Sequence, residues 1–323
     1  MAAKVGRPVD KLSFDGRVGV VTGAGRGIGR AHALLLARRG ATVVVNDLGG
    51  SMEGVGTDAE PASAVAAEIV ATGGVAMADN SDVSTAAGAQ ALVDAAVGRF
   101  GRLDILVNNA GIIRWAGFPE ADAENLERHL AVHVAGSFST TRAAWPHMVE
   151  QGYGRVVMTT STGLFGLPDN VSYATAKAAV IGLARSLTTA GAPHGIKVNL
   201  VAPAAFTRMA GQPTDEPDST RPAPGATQMS PDLVAPMVAF LAHEDCPLSG
   251  AIYAAGAGRF ARIFIASTRG YVHPGPEPTI EDVAQHWATI NDETGYYLPD
   301  DVLAWTAAFM AHLPRSGAES ATP

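Results

Sequence analysis

A single cysteine, Cys246, in a chain of 323 residues excludes any intrachain disulfide, and no cysteine/histidine spacing marks a structural zinc. Cys246 reads as a small buried residue. Long apolar runs are also missing. The stretch AVAAEIVATGGVAMA is broken by Glu68 and a glycine pair, short of the ~20 residues a membrane span needs. The N-terminal MAAKVGRPVDKLSFDGR has no apolar signal-peptide centre, and the C-terminal SATP is not a Ser-Lys-Leu address, so a cytoplasmic location is expected. Positive charge is scarce: 23 Lys and Arg stand against 31 Asp and Glu, a formal net charge of −8. The basic residues are scattered, which argues against a nucleic-acid partner. With 47% hydrophobic residues, the chain can still bury a full core.

From Arg17 to about Tyr253, short Val/Ile/Leu-rich runs alternate with longer Ala-rich amphipathic stretches. This is the rhythm of an α/β protein with a doubly wound parallel sheet and helices on both faces. Strands are expected near 17–22, 41–46, 74–79, 103–107, 154–160, 195–201 and 250–254. Helices are expected near 27–39, 59–72, 84–99, 121–150, 171–191 and 231–243. Runs such as TVVVN and RVVMTT lack in/out alternation, as strands buried on both faces do. Residues 211–231, dense in Pro, Asp, Ser and Thr, cannot continue a helix or strand. A loop that long inside a domain suggests a lid over a substrate, taken here as 206–231. Residues 1–257 are expected to form the main domain. Residues 258–323, with one more helical pattern near 299–313, read as an extension packed on that domain or on a partner subunit.

The sequence VTGAGRGIGR, Val21 to Arg30, follows the first apolar run and leads into a helix. Glycines in a helix interior cost about 1 kcal/mol each relative to alanine. At a strand-to-helix turn, they instead let the backbone approach a pyrophosphate and present helix N-terminal amides to it, the Rossmann arrangement. The spacing is not G-x-G-x-x-G, because the last position falls on Ile28; it is T-G-x-x-x-G-x-G from Thr22 to Gly29. At the end of the second strand, Asp47 stands where a carboxylate accepts from both adenosine ribose hydroxyls of NAD and repels the 2′-phosphate of NADP. Asp47 can also act as a turn former before Gly49. Tyr173 and Lys177, four residues apart on an expected helix, leave one face a turn apart. A neighbouring ammonium favours the phenolate, so the phenol is expected to titrate below its usual range and to exchange a proton with a substrate hydroxyl.

With NNAG at Asn108 to Gly111, YATAK around Tyr173 and KVNLVAP at 197–203, the glycine turn resembles the short-chain dehydrogenase/reductase family, and the motifs occur in that family's order. The resemblance implies an oxidoreductase that moves a hydride between a secondary alcohol and NAD. It implies a cofactor site of Gly23, Arg26, Gly27, Ile28, Gly29 and Asp47, with Asp82 and Val83 at the adenine. Asn109, Ala110 and Gly111 would lie along the ribose, Tyr173 and Lys177 at the nicotinamide ribose, and Pro203 and Thr207 near the carboxamide; no metal is implied. Asp82 can equally cap the helix after it. Thirteen residues before the tyrosine, where the family has its serine, stands Thr160, whereas strand register puts Ser161 there. At the family's asparagine position this chain has His133, read either as part of a proton path or as an ordinary helix residue. VVVNDLGG, GSFSTTRAAWPHM, YAAGAGRFARI and TIEDVAQHW further resemble the (3R)-hydroxyacyl-CoA dehydrogenase unit of the type 2 peroxisomal multifunctional enzymes. That likeness implies a 3-hydroxyacyl thioester or a similarly bulky lipid or steroid substrate, and a homodimer or homotetramer. The alternatives are an NADPH-dependent carbonyl reductase, for which Arg26 speaks, and a non-catalytic NAD-binding module.

Overall fold

The computed structural model describes residues 11–207, 209 and 227–313. Residue 208 and residues 210–226, most of the expected lid, lie outside the described residues. The two sides of that loop meet, because the Phe206 N–H donates to Met229 O at 2.8 Å.

Eight strands form one sheet in the order β3-β2-β1-β4-β5-β6-β7-β8. They are β1 (Val18–Thr22), β2 (Thr42–Asn46), β3 (Val75–Asp79), β4 (Ile105–Asn108), β5 (Gly154–Thr159), β6 (Ile196–Ala204), β7 (Ile252–Gly256) and β8 (Arg259–Ile263). The first seven pair in parallel, with Val20 opposite both Val44 and Leu106. Val20, Val44, Leu106, Val157 and Leu200 are wholly buried, each contributing about 1.5–3 kcal/mol of transfer free energy. This explains the missing alternation. The strand order reverses between β1 and β4, the place where open parallel sheets bind ligands beyond their carboxyl ends.

Helices α1 (Gly27–Arg38) and α2 (Glu60–Ala71) pack together, as do α3 (Ala86–Phe100) and α5 (Gly136–Gln151). The single helix expected over 121–150 is interrupted. It consists of α4 (Ala123–His129), a π-helical segment Leu130–Ala135, and α5. The extra residue per turn rotates the side chains that follow, as π segments near functional sites often do. Next come α6 (Val171–Gly191) and α7 (Ala235–Ala242), the latter preceded by a separate 3-10 turn, Pro231–Leu233. β8 was not expected. It follows β7 through Ala257 and Gly258, both at positive φ (51° and 72°), the two-residue turn of a hairpin. The first compact unit consequently runs to Arg262, past the expected boundary at 257.

The second unit begins at Ile263, and its described residues hold three short helices, α8 (Ile280–Gln285), α9 (Trp287–Ile290) and α10 (Val302–Phe309). Thr279 and Asp282 form a capping box at α8, Tyr271 stacks on His286 at 3.7 Å, and Trp305 stacks on Phe309 at 4.6 Å. None of its described residues is buried, and Trp287, Leu303 and Phe309 are exposed.

Candidate active site

The turn after β1 needs its glycines. Gly23 and Gly27 sit at φ +63° and +54°, and a Cβ on Gly29 would fall 2.1 Å from Gly23 O. A Cβ on Gly23 would lie 2.8 Å from Ala110 Cα, so the NNAG segment abuts the turn. Asn109 Nδ2 donates to Thr22 O (3.0 Å) and Gly23 O (3.1 Å), while Thr22 Oγ1 accepts from the amides of Asn109 and Ala110 (3.0 Å each). Arg26 is the N-cap of α1, and its side chain makes no capping bond. The first-turn amides of α1 are thereby left without a side-chain partner, the feature that suits an anion.

Asp47 occupies the end of β2 and is also the turn former. Oδ2 accepts from Gly25 N at 2.8 Å and Oδ1 from Gly49 N at 2.7 Å. Asp82 accepts from Ser84 N at 2.9 Å, but α3 is capped by Thr85, which accepts from Gly88 N; the helix-cap alternative for Asp82 is therefore replaced by Thr85. A cleft of about 240 Å³ at the carboxyl ends of β1, β2 and β4 is lined by every cofactor residue named from the sequence except Tyr173 and Pro203. Pro203 lies within β6, and Thr207 reaches the first turn of α1, its Cγ2 3.5 Å from where a Gly27 Cβ would sit. The sequence reading missed the loop after β2, whose Leu48, Ser51, Met52 and Gly54 line the cleft together with Arg128 and Val132.

Asn170 starts α6 by accepting from Tyr173 N at 3.2 Å, which puts Tyr173 in the first turn and Lys177 one turn on. The Ser161 hydroxyl stands near the Tyr173 phenol and acts to lower it, and its Oγ accepts from Gly163 N at 3.0 Å. Thr160 is wholly buried and donates to Lys177 O at 2.7 Å. Successive residues of an extended chain point to opposite sides, so the two hydroxyls separate: Thr160 holds the helix backbone and Ser161 meets the tyrosine. Lys177 Nζ donates to Thr159 O at 2.9 Å and lies 5.8 Å from the Tyr173 ring centre. Burial pushes the Lys177 ammonium down to about 7. Burial also raises the Tyr173 phenol, with the nearby Ser161 hydroxyl acting in the opposite sense. The expectation of a lowered phenol is therefore corrected, because desolvation disfavours the phenolate more than its neighbours favour it.

His133 lies in the π segment and is buried, with Nε2 2.9 Å from Ile112 O. Its Nδ1 is buried without a partner, as is Thr159 Oγ1. A Cβ on Gly111 would lie 2.6 Å from His133 Cε1 and 3.7 Å from Lys177 Nζ, so this glycine admits both groups to one place. Burial and the Lys177 charge hold His133 well below the usual histidine range. Sequence reasoning missed His129, although two histidines four apart share a helical face. His129 donates from Nδ1 to Asn125 O at 2.7 Å, and its Nε2 accepts from Arg114 N at 3.2 Å. The amide donor fixes a neutral tautomer. Both imidazoles meet Tyr173 edge-on, at 6.1 Å and 5.4 Å between ring centres.

The family model of short chain dehydrogenases matches residues 17–218. A short-chain type dehydrogenase/reductase of Mycobacterium tuberculosis is 42% identical over 280 residues, 86% of this chain and 95% of the relative. The peroxisomal multifunctional enzyme type 2 of Drosophila melanogaster is 40% identical over 286 residues, 87% of this chain but 46% of the relative; the chain thus spans under half of that enzyme. Its full-length structure aligns with a TM-score of 0.75 at 32% identity, covering 93% of this chain and 50% of that one. A 7α-hydroxysteroid dehydrogenase solved with NADH and 7-oxo glycochenodeoxycholic acid aligns with a TM-score of 0.67 at 29% identity, over 78% and 98% of the two chains. With its parallel sheet and glycine turn, the chain belongs to the short-chain dehydrogenase/reductase family, whose members are oxidoreductases using a nicotinamide cofactor.

Proposed function

We propose that the chain oxidises the secondary alcohol of a (3R)-3-hydroxyacyl thioester with NAD, Ser161, Tyr173 and Lys177 carrying the chemistry. The observation that carries this reading is Lys177, one turn on from Tyr173 with its Nζ 5.8 Å from that ring centre, lining the cleft of the glycine turn. A nicotinamide dinucleotide fits the residues present: the first-turn amides of α1 suit its diphosphate, and the buried Thr159 Oγ1 and the unused donors of Lys177 suit its ribose hydroxyls. When bound, it supplies the hydride acceptor. Tyr173 takes the proton of the substrate hydroxyl, and Ser161 holds the oxygen as the carbonyl forms. Lys177, when protonated, offsets the desolvation that opposes the Tyr173 phenolate. His133 Nδ1, buried without a partner near that ammonium, extends the proton path inward.

Asp47 at the end of β2 favours NAD over NADP. The likeness to a multifunctional enzyme type 2 across both units supports the acyl thioester, and the exposed apolar side chains of 263–313 support a homodimer or homotetramer. The test is turnover of (3R)-3-hydroxyacyl-CoA with each dinucleotide, beside the shift in melting temperature each produces. A thermal shift with NAD but no turnover of any secondary alcohol would contradict catalysis and leave a binding module.

A further inference from the structure

In the sheet, β1 lies between β2 and β4, and the glycine turn leaves the end of β1. Any contact between the loop after β2 and the loop after β4 must therefore cross above that turn. Such a contact exists. Leu48 to Asp58 is a narrow excursion closed at its base by Asp58 N to Leu48 O (2.9 Å) and tightened near its tip by Ser51 N to Val55 O (2.9 Å). Its tip reaches both structures on the far side. Ile113 N donates to Met52 O at 2.8 Å, and Arg128 Nη2 of α4 donates to Gly54 O at 3.0 Å. Contact at Gly54 is close, since a Cβ there would lie 3.0 Å from Ile112 Cγ2. Ser51, Met52, Gly54 and Arg128 line the same cleft as Gly23 to Gly29.

We propose that Leu48–Asp58, anchored by Arg128, is a strap over the bound dinucleotide, so that cofactor exchange requires the Met52–Ile113 and Gly54–Arg128 bonds to open. This rests on the reading of the cleft as a dinucleotide site. Neither Arg128 nor the strap bears on hydride transfer itself. Their effect falls on how fast the cofactor leaves.

The test is stopped-flow fluorescence of NADH release and association for the full chain and its Arg128→Ala variant, with amide hydrogen exchange at Ile113 measured without ligand. Ser51→Ala, which removes the hydroxyl that accepts from Glu53 N and Val55 N, loosens the strap without touching its anchor. In both variants Ile113 should exchange faster and NADH release should rise about three- to tenfold, the range for losing one modest hydrogen bond, with association no slower than half the parent rate. Unchanged release despite faster Ile113 exchange would overturn the strap, and so would a loss confined to association, which would make Arg128 a steering charge. If the parent chain binds no NADH, the dinucleotide reading fails and the strap with it.

Discussion

His32 offers a quantitative test of the packing of α1 against the sheet. It is 1% exposed, and neither ring nitrogen has a hydrogen-bond partner. Burial holds it to about 3, against 6.5 for an ordinary histidine. A depressed folded-state value means the unfolded chain binds more protons, so stability is full above about 6.5 and falls as pH drops toward 3. Linkage over that interval gives a loss of about 2 kcal/mol between pH 8 and pH 5 from this residue alone. His32→Leu keeps a similar volume, suits a helix and cannot protonate. It also removes two unsatisfied nitrogens, worth about 1–3 kcal/mol at neutral pH. Urea unfolding of both proteins at pH 8 and pH 5 should show the variant more stable at both, with its advantage larger by about 2 kcal/mol at pH 5. His129 and His133 are common to the two proteins and drop out of the difference. Equal acid losses in parent and variant would show that His32 is not sealed from water and refute the burial argument.

Tyr173→Phe is expected to remove the proton acceptor, lowering turnover by about 10²-fold or more while the NADH dissociation constant measured by fluorescence stays within about threefold of the parent. Ser161→Ala should lower turnover with little change in melting temperature. Thr160→Val should do the reverse, because it leaves the buried Lys177 carbonyl without its donor at a cost of about 1–3 kcal/mol; interchange of the two phenotypes would reverse their assignment. Asp47→Ala should bring the dissociation constants for NAD and NADP together, and an unchanged ratio would move discrimination elsewhere, with Arg26 the first candidate.

Features built from local spacing were legible in the sequence. The glycine turn declared itself by its position between an apolar run and a helix, and Tyr173 and Lys177 by a separation of one helical turn. Ser161 and Thr160 could not be separated by counting, because loop length and strand register gave different answers; that Thr160 donates to the α6 backbone depends on a fold contact no count reveals. The π segment left no trace, since Leu130–Ala135 has the apolar spacing of an ordinary helix. His129 went unnoticed because its role depends on an amide from a distant loop, Arg114 N. The strap joins Met52 to Ile113 and Gly54 to Arg128, pairs no local pattern connects. The direction of the Tyr173 shift needed the burial of its ring as well as the identity of its neighbour, and β8 is a short, largely exposed strand that composition alone resembles a tail.

The most direct test of the account is the rate of dinucleotide reduction by the purified chain and its Tyr173→Phe variant at saturating (3R)-3-hydroxyacyl-CoA, with NAD and NADP compared. Turnover with NAD well above that with NADP, abolished in the variant while NADH still binds, is the expected result. Undiminished turnover in the variant would contradict proton transfer by Tyr173, and silence of the parent with every hydroxyacyl thioester would contradict the substrate.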